Sequence, residues 1–153
     1  MTAVLQRINR ATVYADGELS CEVGRGLYIL LGVMQGDTEN DALLLAEKIA
    51  KLRIFTDEND KMNLSVNDID GEVAVVSNFT LAADYSHGNR PCYFNAASPD
   101  EANRLYEHFV KLISERVRSV GTGKFGAAMR TEMSTDGPIT IVMDSEILKK
   151  KRS

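Results

Sequence analysis

The chain has 153 residues, 44% of them hydrophobic and 26% charged, with a formal net charge of −4. That length is one domain, able to bury a sizeable core without staples. The acidic balance argues against a protein that coats nucleic acid, though not against one that grips a single RNA end.

No stretch has the apolar length needed to cross a bilayer, so no membrane role is expected. The opening Met1-Thr2-Ala3-Val4-Leu5-Gln6-Arg7 lacks the basic, apolar and small-residue order of a secretory signal. A cytoplasmic location is the default expectation. Val4-Leu5-Gln6-Arg7-Ile8 and Thr12-Val13-Tyr14 are β-rich, and Asp16-Gly17 separates them from Leu19-Ser20-Cys21-Glu22-Val23. An Asp-Gly pair between alternating segments signals a hairpin, because both turn positions need positive φ. Gly26-Leu27-Tyr28-Ile29-Leu30-Leu31-Gly32-Val33 is nearly all apolar and predicts a strand buried on both faces.

Thr38, with Asp41 three residues on, caps a first helix whose Ala42, Leu45, Ala46, Ile49 and Leu52 recur at helical spacing. Asp57, Glu58, Asp60, Asp68 and Asp70 then form a polar stretch that reads as a solvated face and fits no calcium loop. Glu72-Val73-Ala74-Val75-Val76 is a strand that runs into Ser77-Asn78-Phe79-Thr80-Leu81. A second helix starts at Ser98-Pro99-Asp100-Glu101. Ser98 fits the N-cap, Pro99 the first helical position, and Glu101 the closing carboxylate of a capping box. Its apolar stripe is Ala102, Leu105, Tyr106, Phe109, Leu112 and Ile113. Two last strands, Met129-Arg130-Thr131-Glu132-Met133 and Ile139-Thr140-Ile141-Val142-Met143, flank Thr135-Asp136-Gly137-Pro138. The sum is an α+β domain over 1–153. It is a largely antiparallel, rolled, barrel-like sheet with helices packed on it, and its basic tail (145–153) is expected to be solvated and mobile. An alternative reading has Lys149-Lys150-Lys151-Arg152 touching phosphate.

Familiar catalytic patterns are missing. Cys21 and Cys92 read as free thiols without metal spacing, and His87 and His108 have no nucleophile motif beside them. Neither a nucleophile elbow, a phosphate loop nor a dinucleotide fingerprint occurs, and no metal or cofactor is expected.

Two segments carry more. Ser77-Asn78-Phe79-Thr80-Leu81 and Gly137-Pro138-Ile139-Thr140 together resemble the signatures of the D-aminoacyl-tRNA deacylase family, Ser-Gln-Phe-Thr-Leu and Gly-Pro-Val-Thr. The resemblance is collinear over nearly the whole chain. It includes Gln6-Arg7-Ile8, Leu31-Gly32-Val33, Leu52-Arg53-Ile54-Phe55, Lys61-Met62-Asn63-Leu64-Ser65-Val66, Ala97-Ser98-Pro99 and the run from Gly121 through Thr122, Gly123, Lys124 and Phe125 to Met129. Asn78 stands where the family usually has Gln, one methylene longer with the same amide, and Ile139 replaces Val.

The resemblance implies a homodimeric hydrolase. It would cleave the ester between a D-amino acid and the 3′ end of tRNA, a chiral proofreading step of translation quality control. Ser77, Asn78, Phe79 and Thr80 would form the catalytic segment, with the backbone N–H groups of Phe79 and Thr80 facing the oxyanion and the terminal ribose hydroxyl of the tRNA helping to activate water. Thr80 as a covalent nucleophile is the rival. Gly137, Pro138, Ile139 and Thr140 would test handedness through a cis Gly-Pro bond inserted into the partner subunit's pocket, braced by Arg7. Phe125 and Met129 would line the terminal adenosine pocket, although a core-packing role for Met129 stays open. A backbone-built pocket would also admit glycine, including glycine misattached to alanine tRNA. No DNA partner is implied. Two other readings remain: a tRNA-end or protein-binding module without chemistry, and a hydrolase of another small ester with specificity changed through Asn78.

Overall fold

A computed structural model describes residues 1–150; Lys151 and Arg152 of the basic tail lie outside the described residues. The first strand, β1 (Thr2–Ala15), is one continuous ribbon rather than two short pieces. It turns at Asp16 and Gly17 (φ 50° and 82°) into β2 (Glu18–Val23), which is the hairpin the Asp-Gly pair signals. β3 (Gly26–Gly32) follows, buried on both faces as its apolar run requires.

β1 then does the work of organising the sheet. Along one edge its first half pairs with β3, from Thr2↔Gly32 to Ile8↔Gly26, and its second half pairs with β2. Its other edge pairs with β8 (Met129–Asp144) over almost the whole length. All three of these pairings are antiparallel. β6 (Glu72–Ser77) and β7 (Ser119–Thr122) extend the sheet from β3 in parallel. Parallel neighbours need crossovers, and helices supply them: α1 (Glu39–Lys51) between β3 and β6, and α2 (Pro99–Ser114) between β6 and β7. A short ribbon of β4 (Phe55–Thr56) and β5 (Met62–Leu64) sits in the first crossover.

The sheet rolls until β7 meets β2. Ser20 Oγ donates to the Thr122 carbonyl at 2.7 Å, and a Cβ on Gly121 would lie 2.7 Å from that of Cys21. The close approach therefore needs glycine there. The result is the α+β, nearly closed, barrel-like sheet expected, with its antiparallel part centred on β1.

The main core lies between the outer face of the roll and the helices. Leu5, Ile29, Leu31 and Val75 meet Leu45, Ile49, Leu105 and Phe109 there, all buried. A second cluster, with Ile8, Val13, Tyr28 and Val76, fills the inside. Both helical stripes are core surface. The acidic stretch ties down turns: Asp57 accepts the Asn59 and Lys61 N–H groups, Asp68 accepts that of Ser65, and Asp70 pairs with Arg118.

Three details depart from expectation. The two last strands are one 16-residue strand, because segment 136–139 is extruded from a ladder that continues on both sides of it. The Ser98 capping box does not form, since Glu101 turns forward to pair with Arg104 instead of back to the Ser98 N–H. And part of the basic tail is helical, as α3 (Ser145–Lys149).

α3 closes a buried charge cluster. Asp41, within α1, accepts Thr38 N–H at 2.9 Å, Ser145 Oγ–H at 2.6 Å and Lys149 Nζ at 2.8 Å, and the Met1 ammonium lies 4.0 Å away. Burial alone would raise the Asp41 carboxyl, but the bonds from Lys149, Ser145 and Thr38 and the nearby ammonium hold it well below the usual carboxylate range. A depressed carboxyl contributes stability that is present above its unfolded value, about 3.9, and is lost as pH falls through the folded one. Asp41→Asn is therefore expected to lower stability by about 3 kcal/mol at neutral pH. Urea unfolding at a series of pH values checks this: the gap to wild type must narrow below about pH 4.

Candidate active site

β6 and its parallel neighbour β3 end together, Leu31 facing Ser77, and the Asn78 N–H still donates to the Leu31 carbonyl at 2.8 Å. Beyond that bond the chain leaves the sheet in a 3-10 turn, Phe79–Ala82, which sequence periodicity did not show. Strand carboxyl ends in parallel sheets are where loops diverge and clefts open. Gly32 permits the turn to fold back: a Cβ there would come within 2.9 Å of Leu81 Cβ and 3.2 Å of the Asn78 carbonyl oxygen.

A cavity of about 650 Å³ opens at this point, within the range of small-ligand sites. Ser77, Asn78 and Phe79 line it together with Phe125 and Met129, so the structure brings together these two predicted groups. Met129 is half-buried and seated by Gly123, where a Cβ would fall 2.5 Å from its sulfur. Phe125 packs on Tyr106, ring centroids 6.0 Å apart, and the buried Tyr106 hydroxyl donates to the Val75 carbonyl at 3.0 Å. At the rim Phe79 meets Tyr93 edge-on, 4.9 Å between centroids.

Tyr28, Tyr93 and Thr131 are wall residues that the motifs did not indicate. Tyr28 and Thr131 hydroxyls lie 2.9 Å apart. Burial pushes the Tyr28 phenol up, partly offset by that hydrogen bond. Two signals in the sequence could have found them. Tyr28 is the one residue with a polar group in an aliphatic strand, and Thr131 follows Met129 at strand period.

Among the described residues the wall contains no His, Cys, Asp, Glu, Lys or Arg. Its polar groups are hydroxyls, one side-chain amide and main chain. Acid–base catalysis by a side chain poised near neutral pH therefore has no candidate in this cavity.

Thr80 is not in the wall. Its hydroxyl lies 2.5 Å and its N–H 3.3 Å from Asn78 Oδ1, which caps the 3-10 turn. Of the two backbone donors expected from sequence, only the Phe79 N–H has no protein acceptor among the described residues. The Thr80 N–H is engaged because an asparagine stands two residues before it.

The second motif lies elsewhere on the same chain. Between the pairs Gln6↔Thr140 and Ile8↔Thr135, β1 has the single residue Arg7 where β8 has Asp136, Gly137, Pro138 and Ile139. The excess projects from the sheet with Gly137 and Pro138 exposed, Thr140 beside it in the ladder is exposed too, and the Gly137–Pro138 bond is cis. Gly137 has φ 129°, where a Cβ would lie 2.6 Å from the Ile139 nitrogen. Arg7 is buried, 8% exposed. Its Nη1 donates to the Ile54 carbonyl at 2.9 Å, and its Nε stands 3.1 Å from Asp136 Oδ2 without pointing along that contact. Arg7 thus lies beside Asp136 at the base of the segment, while Gly137–Thr140 do not line the cavity of their own chain.

Gly32→Ala is expected to cost about 1–3 kcal/mol, since the added methyl overpacks Leu81 and the Asn78 carbonyl. Denaturant unfolding measures it, and an unchanged midpoint would contradict the packing described.

A family model described as D-Tyr-tRNA(Tyr) deacylase matches residues 4–144. A D-aminoacyl-tRNA deacylase of Dehalococcoides mccartyi is 52% identical over 145 residues, 95% of each chain. One of Persephonella marina is 51% identical over 148 residues, 97% of this chain and 100% of the relative. Among solved structures, one titled c-Myc DNA Unwinding Element Binding Protein superposes with a TM-score of 0.88 at 37% identity, covering 94% of this chain and 98% of that one. A structure titled as a probable eukaryotic D-amino acid tRNA deacylase has a TM-score of 0.77 at 17% identity and covers 94% and 99%, which shows the shared fold. With the match spanning nearly its whole length, the chain belongs to the D-aminoacyl-tRNA deacylase family of hydrolases.

Proposed function

We propose that this protein hydrolyses the ester of D-aminoacyl-tRNA, releasing free D-amino acid and tRNA, and that it works as a cytoplasmic homodimer. The observation that carries the reading is the uncharged cavity that joins Ser77, Asn78 and Phe79 to Phe125 and Met129. Such a site offers an apolar berth for the terminal adenine and neutral donors for an ester, and leaves proton transfer to the substrate. Water adds to the ester carbonyl carbon and the π pair moves to oxygen. Collapse then breaks the bond to the ribose oxygen, which takes up the proton water gives away, relayed by the neighbouring ribose hydroxyl. The Phe79 N–H faces the oxyanion. Neither metal nor cofactor enters this scheme, and neither DNA nor a membrane is a partner in it.

Selection by handedness falls to the Gly137–Pro138 segment of the partner subunit. Side-chain recognition cannot sort D from L for many amino acids, whereas backbone groups held against the α-amino group leave no room for an L side chain. The support is geometric. The segment projects from the sheet on an Arg7 base, and β8 has an edge unpaired among the described residues. Glycine, which has no side chain to refuse, is also removed, including from alanine tRNA.

Purified protein is expected to release D-tyrosine from D-Tyr-tRNA and to leave L-Tyr-tRNA intact; equal rates on both, or no release, sink the proposal. Gly137→Ala must displace the segment, because its Cβ collides with Ile139, and is expected to slow D-tyrosine release by about 100-fold. Sedimentation of the same variant separates that effect from loss of the dimer.

A further inference from the structure

The chain has five phenylalanines and five tyrosines. Among the described residues three of these rings are more than half exposed: Phe79 at 58%, Phe94 at 76% and Tyr85 at 82%. All three fall within residues 79–94, while Phe55 and Phe109 are fully buried. Large apolar groups left together in water mark a surface that something else covers.

The local structure holds these rings out. Asp84 and Cys92 exchange backbone hydrogen bonds of 2.7 and 2.9 Å. They close a hairpin with Gly88 near its tip, in the left-handed region at φ 69°. Tyr85, His87 and Arg90 ride on this hairpin, all exposed. Tyr93, the next residue after its base, meets Phe79 at the rim, so the hairpin starts where the cavity ends. Beside Tyr93, the Phe94 carbonyl accepts from Gln35 Nε2, and the Asn95 carbonyl accepts the Gln35 N–H at 2.9 Å. The Phe94 backbone is therefore tied to the chain after β3.

Charge is arranged around the same rim. The chain carries 22 acidic residues. Segments 77–99 and 119–131, which supply most of the cavity lining, contain only one of them, Asp84. Its carboxylate is spent inside the hairpin, on the Ser86 N–H at 3.0 Å and the Ser86 hydroxyl at 2.6 Å. Arg90 on one segment and Lys124 on the other are exposed. Neither is ion-paired among the described residues.

We propose that hairpin 84–92 and Phe94 form an RNA-binding arm. It takes the unpaired nucleotides that lead to the esterified ribose, with bases stacked on Tyr85 and Phe94 and backbone phosphates met by Arg90 and Lys124. This rests on the proposed deacylase reading and adds a surface outside the reacting cavity, whose lining includes none of these four residues. Every base has a π face, so exposed rings beside a few cations hold a single strand whatever its sequence. A chain with net charge −4 repels a polyanion unless carboxylates are cleared from the approach, and here they are. A second copy laid on this patch about a two-fold axis fits less well. It would set Arg90 and Lys124 against themselves with no free acid to offset them.

The test uses fluorescein-labelled uncharged tRNA, with anisotropy giving Kd between about 50 and 200 mM salt. It is paired with steady-state release of D-tyrosine from D-Tyr-tRNA and with sedimentation. Phe94→Ala and Tyr85→Ala are each expected to raise Kd and KM about tenfold, the worth of one stacked base, with kcat little changed. Phe94→Trp keeps a ring and should recover both. Arg90→Ala combined with Lys124→Ala, at exposed positions with no ion pair to lose, should lower the slope of log Kd against log salt by about 0.7 per cation. Wild-type Kd in both aromatic variants overturns the stacking surface, and an unchanged salt slope in the double variant overturns the phosphate contacts. A changed sedimentation coefficient in these variants makes the patch an interface between copies and overturns the proposal. If the wild-type protein releases no D-tyrosine, the deacylase reading falls and the arm is judged by anisotropy alone. Salt-dependent binding that Phe94→Ala weakens then upholds it, and binding that the variants leave unchanged, or none by the wild type, overturns it.

Discussion

Everything in this molecule hangs on the sharing of β1. A strand of 14 residues is long enough to hold two partners end to end on one edge, β3 and β2, and a third along the other, β8. Sharing one strand among three curls the sheet and brings β7 round to β2. It also fixes where each motif goes. β3 carries β6 with it, so the turn after Ser77 emerges beside Leu31. β8 must stay in register at both ends, so its surplus residues are forced outward at Arg7. The two signature segments are thus placed by one strand and face different surroundings.

Inside that frame the helices supply burial, and the charges supply local order. Leu45, Ile49, Leu105 and Phe109 cover the outer face, each fully buried. The Asp41 cluster ties α1 to α3 and to Met1, the residue just before β1. Among the described residues Arg7 is the one cation set deep in the sheet, and it satisfies main chain at Ile54 as well as facing Asp136. Glycine is used where backbones must touch: Gly121 against Cys21, and Gly32 against Leu81.

Much of the fold was legible in the sequence, for reasons that are local. Asp16-Gly17 specifies its turn whatever surrounds it, and the stripes of α1 and α2 fall at helical spacing because each helix buries one face. What was hidden depends on partners distant in sequence. Nothing local says that Val4-Ile8 and Thr12-Tyr14 belong to one strand, since continuity comes from β8 pairing across both. Glu101 had the right spacing to close a capping box, but the Arg104 guanidinium one turn on competes for it. The site divides in the same way. Segments 77–81 and 137–140 were visible as motifs; Tyr28, Tyr93 and Thr131 became neighbours only through folding. That Asn78 would occupy the Thr80 N–H needed the turn geometry, which a five-residue motif does not display.

The uncharged wall of the cavity has a chemical corollary. Reagents that silence hydrolases capture a reactive group at the reacting centre: a thiol, an imidazole, a carboxylate, or a serine hydroxyl activated by a neighbouring base. Cys92 is on the surface, and Cys21 packs among Gly121 and Val23, outside this wall. The wall therefore holds little for an electrophile to capture. Its one soft atom is the Met129 thioether, the place where an oxidant would turn an apolar surface into a polar one.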